Sequence, residues 1–374
     1  MPIDLGRFPL TMTQIDRFRL AASKQSRSAW ASAGLVGLAV LAVLALGGAD
    51  ADARGRSRIK HPIHGASYHP PYADIVIDDN SGQVLHEADP DAPRHPASLT
   101  KVMTLYLLFG ELEAGKLKLD SNLPISEHAA VQNPTKLGLR AGQTIKVEDA
   151  IKGIVTKSAN DAAVVVAEAL GGSEEAFAQM MTRKARALGM ANTVYVNASG
   201  LPAEEQITTA RDQALLGRAV QRRFPAYYPY FSLPAFAYRG RFMSNHNSLL
   251  RTVDGVDGIK TGYTEASGYN LISSTRRGAR RIVAVILGER SNGARDTRMR
   301  GLIEQHIVRA SNERTAPEIV EREDIGTEVA VLPAANFSLQ SAAPAEEPTP
   351  VPAVVVAPAV PAARAAPASF QAVP

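Results

Sequence analysis

Residues 98–113 read SLTKVMTLYLLFGELE. The run contains no proline and is apolar on nearly every side. A helix that is hydrophobic all round belongs inside a domain, not on its surface. The stretch therefore predicts a buried central helix with other elements packed around it. It also opens with a serine and a lysine three positions apart, Ser98 and Lys101. On a helix, positions i and i+3 share a face, so hydroxyl and amine are neighbours.

Upstream, residues 73–78 (ADIVID) and 83–87 (QVLHE) are short apolar-rich runs joined by Asp79-Asn80-Ser81-Gly82. That linker has turn composition, so the pair predicts a β-hairpin. Downstream, residues 147–155 carry an apolar stripe at helical spacing. Residues 161–170 predict a second helix, ended by Gly171-Gly172, and residues 211–221 another. Strands are predicted over 269–274 and 281–287, then a closing helix over 297–308. The order is hairpin, helical middle, strands, helix. It predicts an α+β domain: an antiparallel sheet flanked by helices, with a helical subdomain.

Two further triplets follow the Ser98–Lys101 pair. Ser158-Ala159-Asn160 lies between two predicted helices, and Lys260-Thr261-Gly262 lies just before a predicted strand. A serine is a weak nucleophile until a base takes its proton. A lysine can be that base if it is neutral, which burial and a nearby positive charge both favour. Lys260 supplies positive charge, Thr261 a hydroxyl, and Gly262 lets another backbone approach closely. Each triplet alone is common, and each alone reads as a helix cap, a loop pair or a strand-start turn. As an ordered set they match the S-x-x-K, S-x-N and K-T-G motifs of β-lactamases and penicillin-binding proteins.

The chain resembles the D-alanyl-D-alanine carboxypeptidases among the low-molecular-mass penicillin-binding proteins. Similar stretches are residues 96–104 (PASLTKVMT), 157–163 (KSANDAA), 197–201 (NASGL), 208–212 (TTARD), 245–250 (NHNSLL), 255–264 (GVDGIKTGYT) and 268–271 (GYNL). The likeness covers about residues 68–312. It implies the serine β-lactamase/DD-peptidase fold and assigns roles. Ser98 would be the acylated nucleophile and Lys101 its base. Ser158 would relay a proton to the leaving amine, and Asn160 would hold Lys101 and the substrate. Backbone N–H groups of Ser98 and Tyr263 would form the oxyanion hole. Lys260, Thr261 and Gly262 would line the substrate, and Arg295 would sit near its carboxylate. A surface arginine at a helix start is the alternative for Arg295. Many members carry histidine where this chain has Tyr263. The implied substrates are peptidoglycan stem peptides, with β-lactam antibiotics as inhibitors. No metal or organic cofactor is implied, and the eight histidines form no ligand-spaced cluster.

The ends differ from the middle. Residues 1–28 carry a positive excess, residues 29–48 are uncharged and apolar, and 49–53 fit a small-x-small cleavage pattern. Residues 1–53 therefore predict a secretory signal or an N-terminal anchor, the only membrane attachment expected. Everything after them is expected on the periplasmic or wall side of the membrane. Residues 54–67 are a basic lead-in. Residues 313–374 predict a disordered tail, because 341–374 hold 8 Pro and 12 Ala.

Hydrophobic residues make up 45% of the chain and charged residues 21%, as in soluble globular proteins. There is no cysteine, which excludes a thiol nucleophile and a disulfide framework. Net charge is +8 over residues 54–314 and −5 over 315–374. The basic residues are scattered along the sequence with no interleaved aromatics, so nucleic acid is not an expected partner. Three alternatives stay open beside the carboxypeptidase: a D,D-endopeptidase, a β-lactamase, and a catalytically silent wall-binding module.

Overall fold

The structure, a computed structural model, describes residues 70–322. The predicted signal or anchor and the basic lead-in lie outside them, as do tail residues 323–374. The chain begins with the hairpin β1 (Ala73–Asp78) and β2 (Val84–Ala88). A 3₁₀ turn, Ala97–Leu99, leads into α1 (Thr100–Glu113). Next come β3 (Asn122–Pro124), α2 (Glu127–Val131), β4 (Thr144–Lys146), α3 (Val147–Thr156), α4 (Asn160–Gly171) and α5 (Glu174–Leu188). Then follow α6 (Ala210–Arg223), β5 (Ala235–Tyr238), β6 (Arg241–Ser244) and α7 (Leu249–Thr252). The chain returns through β7 (Val256–Thr264), β8 (Gly268–Arg277), β9 (Arg280–Glu289) and α8 (Asn292–Ile307).

Five strands form one antiparallel sheet in the order β2-β1-β9-β8-β7. Both faces of its centre are covered. Val283, Val285 and Leu287 of β9 join the core beneath α1, α4 and α6. Ile282, Ala284 and Ile286 meet Met299, Leu302 and Ile303 of α8 on the other face. A strand buried on both faces reads as a continuous apolar run, as β9 does. α1 buries ten residues around its whole girth, as its sequence predicts.

Three expectations change. Lys260-Thr261-Gly262 lies inside β7, not before a strand. Gly258 and Gly262 interrupt the apolar pattern there, and the ladder to β8 supplies what the side chains lack. α5 carries no sequence prediction, although Phe177, Met181, Ala185 and Leu188 form its buried stripe. Its five charged residues mask that stripe. The domain also continues past residue 312. Thr315 and Ala316 N–H groups donate to the Asn80 carbonyl, Ile319 packs on the core, and Arg322 N–H donates to Ala187. The described residues 313–322 are thus a strap on the domain and not part of a disordered tail.

Candidate active site

Ser98 sits in the 3₁₀ turn ahead of α1, held from several sides. Buried Asn270 of β8 donates to the carbonyls of His95 (2.9 Å) and Pro96 (3.2 Å), and its own oxygen receives the Gly288 N–H (2.9 Å). Gly200 has φ +82°, and a Cβ there would lie 1.9 Å from the Ala97 carbonyl oxygen. A Cβ on Gly262 would meet Pro96 O at 3.0 Å and Ser98 N at 3.1 Å. The glycine of the K-T-G triplet thus admits the Ser98 turn against β7 and brings Ser98 beside Tyr263. Ala97 (φ +48°) and Ser158 (φ +59°) both occupy left-handed backbone, the kind of strain that gathers at functional sites.

Lys101 lies below Ser98, one helical turn on, and is fully buried. Its Nζ lies 2.9 Å from Ser98 Oγ and 2.7 Å from Asn160 Oδ1, and it also contacts the Ser199 carbonyl. Burial, with Lys260 nearby, pushes its pKa well below the usual lysine value; Asp161 and Glu174 oppose the shift. A neutral amine has two N–H groups and one lone pair. Asn160 Oδ1 and the Ser199 carbonyl can only accept, so they take the two N–H groups. The remaining position faces Ser98 Oγ, the one partner with a proton to give. In the neutral form of Lys101 the three contacts aim the lone pair at the hydroxyl.

Asn160 opens α4. Its Nδ2 donates to the Asn133 carbonyl (2.8 Å) and its N–H to Thr135 (2.7 Å). The next residue, Asp161, is buried and accepts N–H bonds from Leu137, Gly138 and Leu139. Together they tie the 133–139 loop to the S-x-N triplet. Ser158 Oγ is buried with no partner among the described residues and lines the cleft.

The cleft measures about 620 Å³. Ser98, Ser158, Asn160, Thr261, Gly262, Tyr263 and Arg295 all line it. Lys260 is buried beside them, donating to the Thr261 carbonyl (2.9 Å). Burial, then Arg295, lowers its pKa to about 7. Arg295 is 2% exposed, so it is not a surface residue. Its Nε (2.9 Å) and Nη2 (2.6 Å) both grip Asp296 Oδ1, and Ser248 also donates to that carboxylate. His246 and Arg251 line the same region. Burial, then Lys260, Lys157, Arg295 and Lys101, holds His246 down to about 4, so it is neutral near pH 7. No carboxylate lines the cleft among the described residues. Its charged lining residues, Arg251 and Arg295, are both cationic. Tyr263 and Tyr269 stand at its edge with ring centroids 4.3 Å apart.

Every residue singled out in the sequence falls at this one place. Asn270, Ser199, Gly200, Asp161, His246 and Arg251 join them. Most lie in stretches that resemble the carboxypeptidases, but their parts depend on contacts with distant segments, which motif spacing does not reveal. Among the described residues no helix is long and apolar enough to cross a membrane.

Residues 66–291 match the sequence family described as D-alanyl-D-alanine carboxypeptidase. D-alanyl-D-alanine carboxypeptidase DacA of Escherichia coli is 39% identical over 236 residues, covering 61% of this chain and 59% of that protein. The chain thus spans about three fifths of that relative's length. A D-alanyl-D-alanine endopeptidase of Pseudomonas aeruginosa is 30% identical over 247 residues, covering 63% of this chain and 78% of that protein. In structure, penicillin binding protein 5 from Haemophilus influenzae superposes with a TM-score of 0.62 at 30% identity, covering 64% of this chain and 72% of that one.

Proposed function

The chain belongs to the D-alanyl-D-alanine carboxypeptidase family, and we propose that it is an exported serine carboxypeptidase removing the terminal D-Ala from peptidoglycan stem pentapeptides. The observation that carries this reading is the set of contacts around Lys101, which leaves its lone pair for Ser98 Oγ. Lys101 takes the Ser98 proton as Oγ attacks the carbonyl of the penultimate D-Ala. The backbone N–H groups of Ser98 and Tyr263 receive the oxyanion. The proton passes through the unpartnered Ser158 hydroxyl to the departing amine. The peptide C–N bond breaks, leaving an ester on Ser98, and water then hydrolyses that ester. Arg295 and Lys260, with Thr261, hold the free carboxylate of the leaving D-Ala. A β-lactam is a strained amide of similar shape and acylates the same serine. The absence of a cleft-lining carboxylate, among the described residues, speaks against a β-lactamase that activates water with an acid.

A D,D-endopeptidase is the second reading, favoured by the likeness to the Pseudomonas aeruginosa protein. Two measurements test the proposal. Intact-mass spectrometry of the penicillin-treated protein shows one covalent adduct, absent in Ser98→Ala; an adduct persisting in that variant overturns the nucleophile. Wild type cleaves a peptide ending in free D-Ala-D-Ala and is poor on its C-terminal amide. One charge-assisted contact to that carboxylate is worth roughly 10–150-fold, so Arg295→Ala shrinks the preference by about that factor. Equal cleavage of acid and amide by wild type replaces the carboxypeptidase with the endopeptidase.

A further inference from the structure

At the other end of the sheet from the cleft lies a second concavity of about 500 Å³. Tyr269 of β8 lines the cleft and Arg276 of the same strand lines this pocket. They are seven positions apart along the strand, roughly 23 Å at about 3.3 Å per residue. Four arginines from four segments converge here: Arg222 of α6, Arg276 of β8, Arg281 of β9 and Arg314 of the strap. Asp79 is the one acid in the lining, and it is already shared. Its Oδ1 accepts from Arg218 Nε (3.0 Å) and Arg222 Nε (3.2 Å), and both arginine side chains are about nine-tenths buried. Arg281 gives Nη1 to Gln221 Oε1 (3.1 Å), with Asp257 no nearer than 3.9 Å. The guanidinium groups of Arg276 and Arg314 have no hydrogen-bond or ion-pair partner among the described residues.

Four guanidinium groups line the pocket against the Asp79 carboxylate, with Asp257 paired to Arg281 at 3.9 Å just outside it, and leave a positive excess in a concave space. Concave walls focus such a field toward anions. Burial presses the Arg222 guanidinium below its ordinary pKa, and Arg218 and Arg314 add to this against the pull of Asp79. The interior thus bears an electrostatic cost that a bound dianion offsets. The planar guanidinium fork fits phosphate oxygens two at a time, as an ammonium does not. We propose that this concavity binds a phosphate-bearing anion, held by the free forks of Arg276 and Arg314 over the anchored Arg222 and Arg281. The ligand is a soluble phosphate compound or the headgroup of an anionic phospholipid; the chemistry of recognition is common to both. None of these residues belongs to the proposed catalytic machinery.

Titration calorimetry of the full chain with pyrophosphate, at ionic strength balanced by sodium chloride, tests the site. Saturable one-to-one binding is expected. The paired variant Arg276→Gln with Arg314→Gln weakens it at least about tenfold, while its acylation by penicillin stays at the wild-type rate, showing an intact fold. Heat that does not saturate, or equal affinity in the paired variant, overturns the proposal. Sedimentation with phosphatidylglycerol vesicles separates the sources. Binding to them that pyrophosphate displaces and the paired variant loses assigns a lipid headgroup. Pyrophosphate binding without vesicle binding assigns a soluble phosphate compound.

Discussion

Burying two lysines in one site weakens the fold wherever both carry a proton. Lys260 shows the sign most clearly, with its pKa lowered from the usual 10.5 to about 7. Between those values the unfolded chain holds a proton that the folded chain has shed. Stability from this group therefore rises as pH climbs from about 7 to 10.5 and is at its lowest at and below pH 7. The full shift is worth on the order of a few kcal/mol. Lys260→Met should raise the melting temperature more at pH 7 than at pH 10, while weakening capture of the substrate carboxylate; a gain independent of pH would remove Lys260 as the cause. Ser158 carries the other residue-level cost. A non-glycine residue in left-handed backbone loses about 1–2 kcal/mol. Ser158→Gly should thus unfold at higher urea than Ser158→Ala, by about 1 kcal/mol. Both should acylate more slowly, by roughly 10²–10⁴, the usual size of a lost proton-transfer group. Equal stability of the two variants would mean that the turn carries no strain.

β7 and the nucleophile turn work as one unit. The strand presents Thr261, Gly262 and Tyr263 to the cleft, and Asn270 on its neighbour β8 pins the turn that holds Ser98. Gly262 is the point of contact, with room for a hydrogen and little more. In Gly262→Ala the new methyl presses on Pro96, Ala97 and Ser98 and opens the space between nucleophile and strand. Misplacement of about 1 Å costs on the order of 10²-fold in rate. Penicillin acylation should fall by about that factor in a variant whose circular dichroism matches wild type. An unchanged rate would show that strand and turn can part without consequence. Gly200 is the stricter case, because its Cβ would overlap a backbone carbonyl at φ +82°, and no rotamer relieves that.

Across the whole molecule, the strap joins parts that are distant in sequence. Glu321 accepts from Tyr106 of α1 (2.6 Å) and pairs with Lys184 of α5. Arg222 of α6 donates to the Pro317 carbonyl (3.1 Å). The strap crosses the helical face, away from the cleft lining. Glu321→Ala removes two partly buried contacts, worth about 1–2 kcal/mol together. In a domain of this size the melting temperature should fall by roughly 2–4 °C per kcal/mol, with penicillin acylation unchanged. A coupled loss of acylation would show that the strap reaches the site through α1.

The central helix, the hairpin and the strand β9 were legible in the chain itself, as was the grouping of Ser98, Lys101, Ser158, Asn160 and Lys260 into three motifs; Arg295 came only from the family resemblance. The others rest on local periodicity or on a short motif, and such signals survive without neighbours. The strand character of β7 was not legible, because its ladder lies in β8 and two glycines interrupt its own pattern. Nor was the depressed pKa of Lys101, which comes from burial and from Lys260, or its contacts with acceptors 59 and 98 positions away. The arginines that look scattered along the sequence meet in one pocket only because α6, β8, β9 and the strap end side by side. Spacing along a chain fixes which side chains share an element. Desolvation, charge convergence and backbone contact depend on distances between elements, and only the folded packing decides those.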